Sequence, residues 1–116
     1  MTTVRARAEA PQAFRVEVTR RGRRARVAVR GELDIATKPV LERALVERAR
    51  IGGPVVLDLR ELAFIDARGL ELLLRTNAHA RRDGWELQLI PGRCVRRLLN
   101  LCDVTTQFSY LDPQPD

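Results

Sequence analysis

Two pairs of carboxylates, Glu32 with Asp34 and Asp58 with Asp66, could in principle do acid–base work or hold a divalent cation. Either task needs the acids to converge, and their spacing does not demonstrate this. A simpler role suits two of them. Asp34 precedes Thr37 at the start of one expected helix, and Asp66 directly precedes another. A carboxylate there accepts free backbone N–H groups and meets the positive end of the helix dipole, for about 1 kcal/mol. The lone His79 sits beside Arg81 and Arg82 without a candidate nucleophile and reads as a solvated helix-face residue. Cys94 and Cys102 are eight residues apart, too far for a zinc knuckle or a redox pair, and read as core thiols. The one serine, Ser109, lacks a nucleophile elbow, and Gly52-Gly53 precedes a strand instead of opening a phosphate-binding helix. An enzyme is not expected, and neither a cofactor nor a metal.

These residues are carried by elements with clear periodicity. Phe14, Val16 and Val18 alternate with Arg15, Glu17 and Thr19, then Val27 and Val29 alternate with Ala28 and Arg30, with Gly22 between: a hairpin. Thr37 is placed to cap a first helix over about 37–50, where Val40, Leu41, Ala44, Leu45 and Ala49 recur at helical spacing until Gly52-Gly53. Residues 54–59 read as a short buried strand. After the turn at Asp66-Ala67-Arg68-Gly69, the apolar stripe Leu70, Leu73, Leu74 and Ala78 predicts a second helix over about 68–82, stopped by Asp83-Gly84. Trp85, Leu87 and Leu89 alternate as a half-buried strand, and a third helix carries Val95, Leu98, Leu99 and Cys102. Phe108, Tyr110 and Leu111 are expected to cover an end of the core.

Strand–helix–strand–helix–strand order with short connections requires parallel neighbours and right-handed crossovers. The expected fold class is α/β: one domain with a four- to five-stranded mixed sheet, an N-terminal β-hairpin and three or more helices. Residues 1–13 are taken as a flexible N-terminus, 14–111 as the domain and 112–116 as a flexible C-terminus. In such sheets partners meet loops at the carboxyl ends of the strands, where Gly31-Glu32-Leu33-Asp34 and Phe64-Ile65-Asp66-Ala67-Arg68-Gly69-Leu70 both fall.

Composition narrows the field. The chain has 116 residues, 45% hydrophobic and 31% charged, and no apolar run long enough to span a bilayer, so a cytoplasmic protein without membrane contact is expected. The formal charge of +6 is local: residues 1–30 carry nine Arg and two acids, whereas the remainder has 12 basic and 13 acidic side chains. Much of the excess lies in Arg20-Arg21-Gly22-Arg23-Arg24, which reads as a solvated hairpin tip before it reads as a nucleic-acid site.

Taken in order, Gly-Glu-Leu-Asp at 31–34, the Val-Val-Leu-Asp-Leu strand and Phe-Ile-Asp-x-x-Gly-Leu at 64–70 resemble the STAS domain, over about 14–111. That family comprises bacterial anti-sigma factor antagonists and the cytoplasmic tails of sulfate transporters, and the chain is more similar to the free-standing antagonists. The resemblance implies partner switching. An antagonist binds an anti-sigma factor with a kinase-type ATPase fold, releasing the sigma factor, and phosphorylation of a Ser after the motif Asp breaks the complex by bringing about two negative charges into the interface. Carried onto this sequence, Asp66, Gly69 and Leu70 match the motif, but Ala67 stands at the acceptor position and Arg68 where a second Ser is common. The implied phosphorylation site is therefore absent.

The expected partner-binding residues are Asp34, Asp66, Ala67, Arg68, Gly69 and Leu70. Ala67 is also a good helix former, and Arg68 also reads as a plain solvated side chain. A cation in a first helical turn opposes the dipole, however, so Arg68 with the free N–H groups of the helix start is expected to meet an acidic group on a partner or a bound anion. The expected partner is an anti-sigma factor with a kinase-type ATPase fold or another signalling protein, with a homodimer left open. Alternatives are a ligand-sensing module binding a nucleotide or other anion near Asp34 and the start of the second helix, a scaffold module of a signalling assembly, and a nucleic-acid binder using Arg20 to Arg24.

Overall fold

Alternating valines build the first two strands as an antiparallel hairpin, β1 (Arg15–Arg21) and β2 (Arg24–Leu33), with Val16 opposite Val29 and Val18 opposite Val27. The computed structural model describes residues 13–112, so most of the two expected flexible termini lies outside the described residues. The chain continues through α1 (Lys38–Ile51), β3 (Val55–Ile65), α2 (Ala67–Asp83), β4 (Leu87–Ile90), α3 (Gly92–Leu101), a 3-10 turn at Thr105–Gln107 and β5 (Ser109–Tyr110). The sheet runs β1-β2-β3-β4-β5, antiparallel in the hairpin and parallel at every later pair. This is the expected mixed α/β sheet with three helices.

The helices cover both faces. Alternation along a strand sends neighbouring residues to opposite sides. Ile65 and Leu33 meet Gly69 of α2, whereas Phe64 shares a groove with Arg97 and Leu101 of α3. Hence α1 and α2, tied by Arg75–Glu42 at 3.1 Å and Lys38–Glu71 at 3.7 Å, lie on one face and α3 on the other. The core between them is almost wholly aliphatic, with Leu33, Leu41, Leu57, Leu73 and Leu89 fully buried.

Several expectations need correction. The strand read as 54–59 extends to Ile65, because irregular register between Ala28/Arg30 and between Gly31/Glu32 lets β3 carry Arg60, Glu61 and Phe64 out of simple alternation. Thr37 precedes α1 but makes no side-chain cap; its hydroxyl donates instead to the Glu32 carbonyl at 2.7 Å. Val40 and Ala78 are exposed, while Arg48 on α1 and Thr76, Asn77 and Ala80 on α2 are buried. Cys94 is half-buried, and Cys102, past the end of α3, is exposed, so it is no core thiol. β5 went unexpected, since two residues carry no periodicity and are ordered by pairing with Gln88 and Leu89. Gly84 ends α2 in the left-handed conformation at φ 79°, as Asp83-Gly84 suggests.

Candidate functional site

The adjacent parallel strands β2 and β3 end level with each other, Leu33 opposite Ile65, so the two distinctive loops emerge side by side. A bond from the Asp66 N–H to the Leu33 carbonyl at 3.2 Å joins them. In the first loop, the Asp34 carboxylate accepts the N–H groups of Ala36 at 3.0 Å and Thr37 at 3.1 Å, while the Thr37 hydroxyl accepts the Asp34 N–H at 3.0 Å. Asp34 thus satisfies backbone donors ahead of α1, as its position suggests. In the second loop, Asp66 adopts extended backbone and its Oδ1 accepts from Arg68 N at 3.0 Å and Gly69 N at 3.1 Å, an N-cap on α2.

Gly69 brings this turn against the sheet. A Cβ there would lie 2.8 Å from Ile65 Cγ1 and 2.9 Å from Leu33 Cγ, so any side chain would push α2 off the strand ends. Gly69 and Leu70 are buried and anchor the turn, whereas Ala67 and Arg68 face outward. Ala67 is therefore not packed into the turn. Among the described residues no acid forms an ion pair with the Arg68 guanidinium. The surface also carries an apolar group that sequence reasoning missed: Ile35 is 65% exposed in the first loop. Its signal was an aliphatic residue following Asp34 with no helical or strand partner in the pattern.

The second carboxylate pairing is not realised. Asp58 lies mid-strand and buried, held by Arg26 from β2 and by Arg60 Nε and Nη2 at 2.9 and 2.7 Å. Burial pushes its carboxyl up, and the hydrogen bonds from the Arg60 side chain and backbone and from Arg26 outweigh that, lowering it from 3.8 to about 2. Its lone pairs are occupied by arginine, and among the described residues no group of His, Cys, Asp and Glu could hold a metal ion. His79 lies on α2 with Nε2 2.6 Å from Asp83 and its ring edge-on to Trp85. Arg20 to Arg24 form an exposed hairpin tip. No helix among the described residues is long and apolar enough to cross a membrane.

Residues 16–111 match the family model described as Mlab, STAS domain. An anti-sigma-B factor antagonist of Bacillus subtilis (strain 168) is 29% identical over 86 residues, which cover 74% of this chain and 77% of that protein. The crystal structure of an anti-sigma factor antagonist from Mycobacterium paratuberculosis superposes with a TM-score of 0.74 at 26% identity, over 90% of each chain. The Bacillus cell fate determinant SpoIIAA in its phosphorylated form shares the fold, with a TM-score of 0.64 at 17% identity over 86% of this chain and 92% of that one. With its order of elements, its paired loop ends and a family match across nearly the whole domain, the chain belongs to the STAS domain family.

Proposed function

We propose that this STAS domain is an anti-sigma factor antagonist: a binding protein, not an enzyme, that occupies an anti-sigma factor of kinase-type ATPase fold through Asp34, Asp66, Ala67, Arg68, Gly69 and Leu70. The observation that carries the reading is the α2 turn itself. Asp66 takes up the backbone donors of Arg68 and Gly69, and Gly69 packs the helix down, which leaves the methyl of Ala67 and the guanidinium of Arg68, without an ion pair among the described residues, as the groups presented to a partner. Asp34 shapes the neighbouring loop and keeps Ile35 on the same surface. Ala67 has no hydroxyl, so the kinase activity of such a partner has no acceptor at this position and binding is constitutive. Arg68 meets an acidic group of the partner through charge-assisted hydrogen bonds.

The test is titration of the full chain with the cognate anti-sigma factor, with and without Mg-ATP. The complex is expected to persist in ATP with the antagonist's intact mass unchanged. Arg68→Glu is expected to weaken it by roughly tenfold or more, since reversing one paired charge costs about 1.4 kcal/mol or more. ATP-driven dissociation with mass gain would overturn the constitutive reading, and unchanged affinity of Arg68→Glu would remove Arg68 from the contact.

A further inference from the structure

On the face of the sheet opposite α1 and α2, the end of β3 and the side of α3 enclose an apolar groove of about 470 Å³, with Cys94 in its wall. Phe64 and Leu101 stand at its edges, 46% and 74% exposed. Two large apolar side chains left in water beside one groove mark a surface that gains by being covered. The charge around it is equally one-sided. Arg93 and Arg97, one helical turn apart, line the groove, and α3 carries no acid. Several surface arginines elsewhere are matched, Arg30 by Glu61, Arg50 by Glu47 and Arg75 by Glu42. Among the described residues none forms an ion pair with Arg93 or Arg97.

We infer that this groove is a second docking surface, which takes an acidic amphipathic helical segment of a partner protein, its apolar side chains between Phe64 and Leu101 and its carboxylates against Arg93 and Arg97. The mode is a helix laid in an apolar groove, with specificity set by complementary charge at the rim. A lipid surface fits less well. An interfacial helix must bury its apolar face in the bilayer, and that face of α3, with Val95 and Leu99, is already committed to the core. The inference stands apart from the contact at Asp66 to Leu70 and does not require that the partner be an anti-sigma factor.

Cys94 and Cys102 supply an internal reporter, because Cys94 lines the groove and Cys102 does not. The full chain is titrated by fluorescence anisotropy with a labelled helical peptide bearing Leu at i, i+3, i+4 and i+7 and Glu elsewhere, and with its counterpart bearing Lys in place of Glu. The acidic peptide is expected to bind roughly tenfold tighter than the basic one. Arg93→Glu with Arg97→Glu should invert that preference, Phe64→Ser should weaken both peptides, and Arg68→Glu should change neither. Bound acidic peptide should slow alkylation of Cys94, read by mass spectrometry, while leaving Cys102 unaffected. Circular dichroism confirms that these surface variants are folded. Equal or undetectable binding of the two peptides, or an unprotected Cys94, overturns the proposal. So does binding to phosphatidylserine vesicles, lost in Arg93→Glu with Arg97→Glu, when no peptide binds. Loss of peptide binding in Arg68→Glu would relocate the segment to the α2 turn and equally overturn it.

Discussion

Asp58 and Asp66 stand in the middle and just past the end of the same strand, and their surroundings answer their charges in opposite ways. Mid-strand, Asp58 is closed in by Arg26 and Arg60, and nothing of the acid remains for a partner. At the strand end, Asp66 spends its carboxylate on the backbone of α2, and the cation beside it, Arg68, has no ion-pair partner among the described residues. The contrast teaches where to look for binding in a sheet of this kind. Charge satisfied by charge stabilises the scaffold, whereas charge satisfied by backbone leaves its neighbours available.

Substitutions in the two regions separate these roles, and the largest effect is expected at Gly69. Gly69→Ala places a Cβ within 3 Å of buried Ile65 and Leu33 atoms. Overpacking there is expected to lower unfolding free energy by about 2–3 kcal/mol in urea titration, and a neutral result would show that the strand end is looser than its middle. Asp58→Asn, which leaves two half-exposed arginines without their acid, is expected to cost about 2 kcal/mol. Its pH dependence is diagnostic. Because folding depresses this carboxyl from 3.8 to about 2, its contribution is fully present above the ordinary value and is lost as pH falls through that interval. The urea midpoint should therefore drop between about pH 5 and pH 2 in the native chain and drop less in Asp58→Asn. Asp66→Ala removes the cap and should cost about 1 kcal/mol, less than Asp58→Asn; the reverse order would contradict the division of roles. Arg68→Glu should have the smallest effect on stability, a gain of about 0.3–0.5 kcal/mol by thermal melting, because an acid in the first turn of α2 meets the helix dipole favourably. Stabilisation accompanied by weaker partner binding would be the signature of a residue kept for contact.

Much of this was legible beforehand where local chemistry decides. Helix ends expected at 37–50 and 68–82 fall at Lys38–Ile51 and Ala67–Asp83, since a leading acid and a following glycine act within a few residues. The cap that Asp66 makes on α2 was legible for the same reason, whereas Asp34 satisfies Ala36 and Thr37 in the loop before α1 and does not cap the helix itself. The second half of β3 was not, because register irregularities against β2 turn Arg60, Glu61 and Phe64 outward and erase the period-two signal. Nor was β5, whose two residues pair with Gln88 and Leu89 of β4, far away in sequence.

By itself, then, the order of residues determined the hairpin, the three helices, the two loop motifs and the absence of a hydroxyl at Ala67, all properties of neighbours in the chain. Tertiary structure alone decided that Leu33 and Ile65 end side by side, that Asp58 belongs to Arg26 and Arg60 and not to Asp66, and that Phe64 faces α3. Each of these depends on which strands pair and in what register, and register is set by the packing of the whole sheet.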